Sequence, residues 1–132
     1  MDAPKDTQAE RREFVRIAVV LPVRYSFLDT AGQRMGSLSE GATTNLSASG
    51  MLLQGRLGEL AWVQELLTQR MAIAVSVVLP TEVEPVKALA RAAWIESIDP
   101  ASRRCNLGLM FREIAREDQD RLFRFVIRAQ LG

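Results

Sequence analysis

Thr43-Thr44-Asn45-Leu46-Ser47-Ala48-Ser49-Gly50-Met51-Leu52-Leu53 is the stretch on which the fold turns. Its apolar half, Gly50 to Gln54, reads as a strand. Its polar half sets Asn45, Ser47, Ser49 and Gly50 in a pattern too polar for a core strand and rich in turn formers. A β-turn here exposes polar groups just before an apolar strand begins. Upstream, Glu10-Arg11-Arg12-Glu13-Phe14-Val15-Arg16 clusters guanidiniums. One stretch offers hydroxyls, an amide and a glycine, and the other offers cations. Together they have the chemistry of two jaws of an anion or nucleotide site.

Arg12 and Arg16 fit the spacing Arg-x-x-x-Arg, and Asn45, Ser47 and Gly50 fit Asp/Asn-x-Ser-x-x-Gly. The two patterns in this order resemble the signature of the PilZ domain, a bacterial receptor module for cyclic di-GMP. The resemblance runs from about Arg11 into the last helix. It implies a mainly β fold, a small six-stranded antiparallel barrel of the split-barrel type with a C-terminal α-helix; a short helix over 58–69, where the family often has a plain loop, would be an insertion. It also implies a ligand, cyclic di-GMP, with no further cofactor and no catalysis. Relay would go to an unidentified downstream protein controlling motility, biofilm and exopolysaccharide, or virulence. The implied ligand residues are Arg11, Arg12, Arg16, Asn45, Ser47 and Gly50. Trp94 joins them because some family members place a ligand-touching tryptophan there; the competing expectation is a barrel core residue. Two positions depart from the family pattern. Aspartate is commoner at Asn45, and some relatives carry a basic residue at Glu13.

The residue types suit that ligand. Arginine pairs bidentately with phosphate and also donates to guanine O6 and N7 or stacks on the base. Asn45 carries donors and an acceptor that can read a base edge. Ser47 supplies a small hydroxyl, and Gly50 permits close backbone approach or a positive φ.

Along the chain, residues 1–10 read as a flexible N-terminal tail and 11–132 as one domain. Ile17–Phe27 is a strand, with Pro22 expected at an edge or bulge. Asp29–Gly32 is a turn. A weaker strand runs from about Gln33 to Leu46, with Gly36 and Gly41 as bulges or bends. Over Gly58–Gln69, Leu60, Val63, Leu66 and Leu67 recur at helical spacing. This helix 58–69 is expected to act as a lid on one end of the barrel, with a Trp62 partner face as the alternative. Met71–Leu79, Val86–Ser97 and Arg103–Phe111 follow as strands, with a turn at Asp99–Ser102. The last helix, about Arg116 to Gln130, turns Leu122, Phe125, Val126 and Ala129 inward, with Phe123 and Ile127 widening that face. Six short strands with turns between them fit a small barrel.

Bulk properties bound the rest. A chain of 132 residues with 48% hydrophobic and 25% charged residues is globular and long enough for one core. A net charge of +1 gives no global basic field for nucleic acid. The absence of histidine removes the commonest general base and metal ligand. One cysteine, Cys105, suits a reducing cytoplasm, and nothing pairs with it as a catalytic thiol. Glu117, Asp118 and Asp120 sit where a helix dipole favours acids, a structural role. No apolar run is long enough to insert in a membrane, and the first residues lack a signal-peptide core. Three rivals to the cyclic di-GMP receptor follow: a PilZ-fold protein-interaction adaptor that does not bind the nucleotide, a barrel binding nucleic acid through its basic arm, and an enzyme. The adaptor is the one kept open, by Glu13 and Asn45.

Overall fold

The computed structural model describes residues 15–131. The 1–10 tail, Arg11, Arg12 and Glu13 lie outside the described residues. Within them run β1 (Arg16–Ile17), β2 (Leu21–Leu28), β3 (Arg34–Ser47), β4 (Gly50–Arg56), α1 (Trp62–Leu67), β5 (Ala72–Val77), β6 (Val86–Glu96), β7 (Arg104–Ile114) and α2 (Arg116–Leu131). The strand order is β1-β3-β2-β5-β6-β7-β4, and β4 pairs back to β3. That pairing closes β2 to β7 into a six-stranded antiparallel barrel without open edges. The short β1 adds to the end of β3, with Arg16 opposite Ser47 and Ile17 opposite Leu46.

Period-two alternation fills the barrel. Leu21, Val23, Tyr25 and Phe27 of β2 are buried, as are Ile73, Val75 and Val77 of β5 and Cys105, Leu107 and Leu109 of β7. The structure splits the expected first strand in two. Pro22 is the second residue of β2, an interior strand, instead of marking an edge. The ladder to β5 begins one residue later, at Val23, and Pro22 contributes only its carbonyl, which accepts from the Val78 amide at 3.2 Å. The bulge expected at Gly36 is present: between Tyr25 and Phe27 the register jumps from Ser39 to Met35, and Gly36 sits in the excess at φ +79. The turns at Asp29–Gly32 and Asp99–Ser102 are both closed by backbone hydrogen bonds.

The inserted helix is shorter than the expected 58–69, but it fills the core as a lid does. Trp62 and Leu66 are buried, and the Trp62 ring meets Phe27 at 5.1 Å between centroids. A Trp62 partner face is thereby excluded. The last helix packs against β1, β3 and β6. Leu122 and Val126 are buried and Phe125 is half-buried, whereas Ala129 is exposed: the helix has passed the barrel by its last turn.

Candidate functional site

Two bulges build the site. In the β3–β4 ladder, Thr43 faces Leu53 and Asn45 faces Leu52, so Thr44 is the extra residue. The buried Thr43 hydroxyl donates to the Asn45 carbonyl at 3.0 Å and fixes the kink. Strict alternation would put Thr43 and Asn45 on the same side. The bulge inverts the parity, so Thr43 points in and Asn45 lies toward the outer face.

Beyond Asn45 the chain reverses through Ala48 and Ser49. Ser47 is fully buried, and its Oγ accepts from the amides of Ser49 at 3.1 Å and Gly50 at 3.2 Å. This is a side-chain-closed turn. Gly50 is required for close backbone approach: a Cβ there would collide with the Leu109 carbonyl oxygen of β7. Its φ is not positive. From the helix, Gln119 Nε2 donates to the Ala48 carbonyl at 3.1 Å and holds the turn from behind. β1 brings Arg16 alongside, and its Nη1 donates to Asn45 Oδ1 at 3.3 Å.

The second bulge is on β6. Ala92 faces Leu109 and Trp94 faces Gly108, so Ala93 is the extra residue. Ala92 is buried, and Trp94 is turned outward with 43% exposure. The indole lies in the notch left by Gly108, where a Cβ would collide with its ring atoms. Gly108 faces Leu52 in turn, and Leu52 faces Asn45. Asn45, Leu52, Gly108 and Trp94 therefore form one lateral row across four strands. The family model for the PilZ domain matches residues 10–128. The chain belongs to the PilZ family.

Solved structures agree with this assignment. The chain is similar to the inhibitor of motility MotI/DgrA of Bacillus subtilis, 26% identical at a TM-score of 0.66 over 92% of this chain; it spans only 51% of that one, about half its length. It resembles in fold the PilZ domain of YcgR from Escherichia coli, solved with c-di-GMP (15% identity, TM-score 0.58, 92% of each chain). It also resembles PlzA of Borreliella burgdorferi, solved in complex with c-di-GMP (11% identity, TM-score 0.56, 94% of this chain and 54% of that one). Comparison with curated protein sequences finds no match.

Of the residues singled out in the sequence, the PilZ barrel brings Arg16 and Asn45 into hydrogen-bonding contact and sets Trp94 in the same lateral row as Asn45. Trp94 is not a core residue. Ser47 and Gly50 lie beneath the surface and shape the turn. Arg11 and Arg12 lie outside the described residues. Three neighbours escaped the sequence reading: Gly108, Met110 and Arg91. Arg91 and Trp94 are an odd number of residues apart, so simple alternation separates them; only the bulge puts both outside.

Elsewhere the titratable groups hold the fold together. Arg121 donates to Glu82 Oε1 at 2.6 Å, to Asp118 Oδ1 at 2.9 Å and to the Glu84 carbonyl, tying α2 to the loop before β6. The Glu82 hydrogen bond, with that to Asp118, raises the Arg121 pKa further. Asp118 thus has the structural role expected of it. Burial pushes the Cys105 thiol above its ordinary value, which suppresses the reactive thiolate. Among the described residues, no cluster of three or more His, Cys, Asp or Glu is arranged to hold a metal ion. No described helix is long and apolar enough to cross a membrane. A depression of about 800 Å³ lies by Gln54, Arg56, Arg104 and Asn106, at the far ends of β4 and β7, and contains none of the signature residues.

Proposed function

We propose that this PilZ-family chain is a non-catalytic receptor for cyclic di-GMP, relaying the nucleotide to a protein partner in the cytoplasm. The observation that carries this reading is the Arg16–Asn45 contact at 3.3 Å, which joins the two halves of the signature from positions 29 residues apart. Arg16, with Arg11 and Arg12 on the preceding segment, supplies guanidiniums for phosphate and guanine. Asn45 presents an amide to a base edge, and Trp94 presents an indole face for stacking. Ser47 and Gly50 act by holding the turn in shape. The c-di-GMP in the YcgR and PlzA structures is in keeping with this ligand, and motility control is in keeping with the MotI relative.

Isothermal titration of the full chain with cyclic di-GMP tests the proposal. The expected result is saturable binding that Arg12→Ala or Arg16→Ala weakens by about 2–5 kcal/mol, the typical cost of removing one partner of a close charge pair. Binding unchanged in both variants contradicts the site. A folded parent that gives no heat and no spectral change contradicts the receptor function and leaves the adaptor role.

A further inference from the structure

A second lateral row runs beside the one that carries Asn45 and Trp94. Arg16 faces Ser47 across β1 and β3, Ser47 is hydrogen-bonded to Gly50 across the turn, Gly50 faces Met110, and Met110 faces Arg91. An arginine thus stands at each end, four strand spacings of about 4.8 Å apart along the curved wall. Little side chain rises between them: Ser47 is buried, and Gly50 has none. Met110 is the exception, 42% exposed, and it lies under the far arginine, whose Nη2 donates to the Met110 sulfur at 3.1 Å.

That contact is an unusual resting place for a guanidinium. A thioether is a weak acceptor. No carboxylate pairs with Arg91 among the described residues, although ion pairs engage Arg24, Arg70, Arg112 and Arg121. The bulge at Ala93 puts this fork on the same face as the exposed indole, one row away. The result is a corner with an aromatic face, a soft apolar floor and a free planar donor set. Such a corner suits a purine that stacks on the indole while its acceptor edge meets the guanidinium.

We infer that Arg91 is a further ligand-binding residue of this site, taking the O6/N7 edge of the guanine that stacks on Trp94, at the end of the cradle opposite Arg16. The inference rests on the cyclic di-GMP reading and adds a second pole to it. One end of the ligand is held at Arg16 and Asn45, the other at Trp94 and Arg91, across the low stretch at Ser47 and Gly50. Arg91 leaves the sulfur and exchanges a weak acceptor for two strong ones. A guanidinium on a base edge lies farther from the phosphates than one that contacts them, so its removal lowers the salt dependence of binding less.

Calorimetric titration with cyclic di-GMP at several salt concentrations, on the parent, Arg91→Ala, Arg91→Gln, Arg91→Lys and Arg16→Ala, tests this. Arg91→Ala and Arg91→Gln should each weaken binding about tenfold, the order expected for one bidentate base contact. Arg91→Lys should recover only part, because an ammonium has no fork. The salt slope should fall less in Arg91→Ala and Arg91→Gln than in Arg16→Ala. Thermal melts confirm the fold of each variant, and the Gln and Lys variants preserve length at a position on the outer face. Parental affinity in folded Arg91→Ala and Arg91→Gln overturns the assignment and leaves the site at Arg16 standing. A salt slope reduced in those variants as much as in Arg16→Ala overturns the base-edge role in favour of phosphate. A folded parent that does not bind overturns the receptor reading and this inference with it.

Discussion

The two tryptophans of this barrel sit on glycines and meet opposite fates. Trp62, in the lid, lies against Gly58, touches Phe27, and keeps only 9% of its surface exposed. Trp94, on the outer wall, lies across Gly108 and keeps 43%. The packing device is the same, a ring laid where a side chain is missing. At the lid the apolar area is removed from water and contributes to stability. On the wall half of a large ring is left wet beside Met110, Arg91 and the Asn45 row. A residue that is costly to leave exposed, placed there by a bulge, marks a surface shaped for something other than the core.

Substitutions can break this comparison. The largest effect is expected at the lid: Trp62→Ala should cost about 3–5 kcal/mol of unfolding free energy, as for other buried aromatics. Trp94→Ala should cost less than about 1 kcal/mol in the same urea titration. Equal losses would erase the distinction between lid and wall. Next comes added volume. Gly50→Ala drives a methyl into the Leu109 carbonyl, and Gly58→Ala drives one into a ring with no exit; each should cost about 1–3 kcal/mol. Ser47→Ala should follow at about 1 kcal/mol, because the Ser49 and Gly50 amides lose their acceptor. A larger loss of ligand than of stability in that variant would give Ser47 a direct binding role. Gly108→Ala should be milder still, since the exposed indole can swing outward, and it should change cyclic di-GMP affinity more than the melting temperature.

The smallest effect is a pH dependence. Burial raises the pKa values of Cys105 and Tyr25 in the fold, so the unfolded chain loses these protons first. Stability contributed by the protonated forms is therefore whole below the ordinary thiol value of 9.0 and declines as pH rises beyond it. Cys105→Ala should flatten part of that decline in melts between neutral and alkaline pH. A stability that rises over that range would contradict the buried, protonated state.

The sequence carried the barrel because alternation, turn residues and the last helix's apolar stripe are local signals. It also carried the spacings that single out Arg16 and Asn45, which are local within each half; their contact comes from the pairing of β1 with β3. What it did not carry depends on register. Pro22 marks an edge in isolation, yet a ladder that begins at Val23 makes it harmless inside the sheet. Thr44 and Ala93 carry no mark of a bulge, and each inverts the parity of everything after it. Trp94 was therefore open between core and surface, and Arg91 went unnoticed. A glycine at position 50 is required by the Leu109 carbonyl behind it, which only the closed barrel supplies.

Two single-tryptophan variants test the central claim most directly. Trp62→Phe leaves Trp94 as the only emitter, and Trp94→Phe leaves Trp62. On titration with cyclic di-GMP, the account predicts a saturable change in emission intensity or wavelength from Trp94 and a flat response from Trp62. An unchanged Trp94 spectrum at a ligand concentration that calorimetry shows to be saturating would contradict it, and so would a response confined to Trp62.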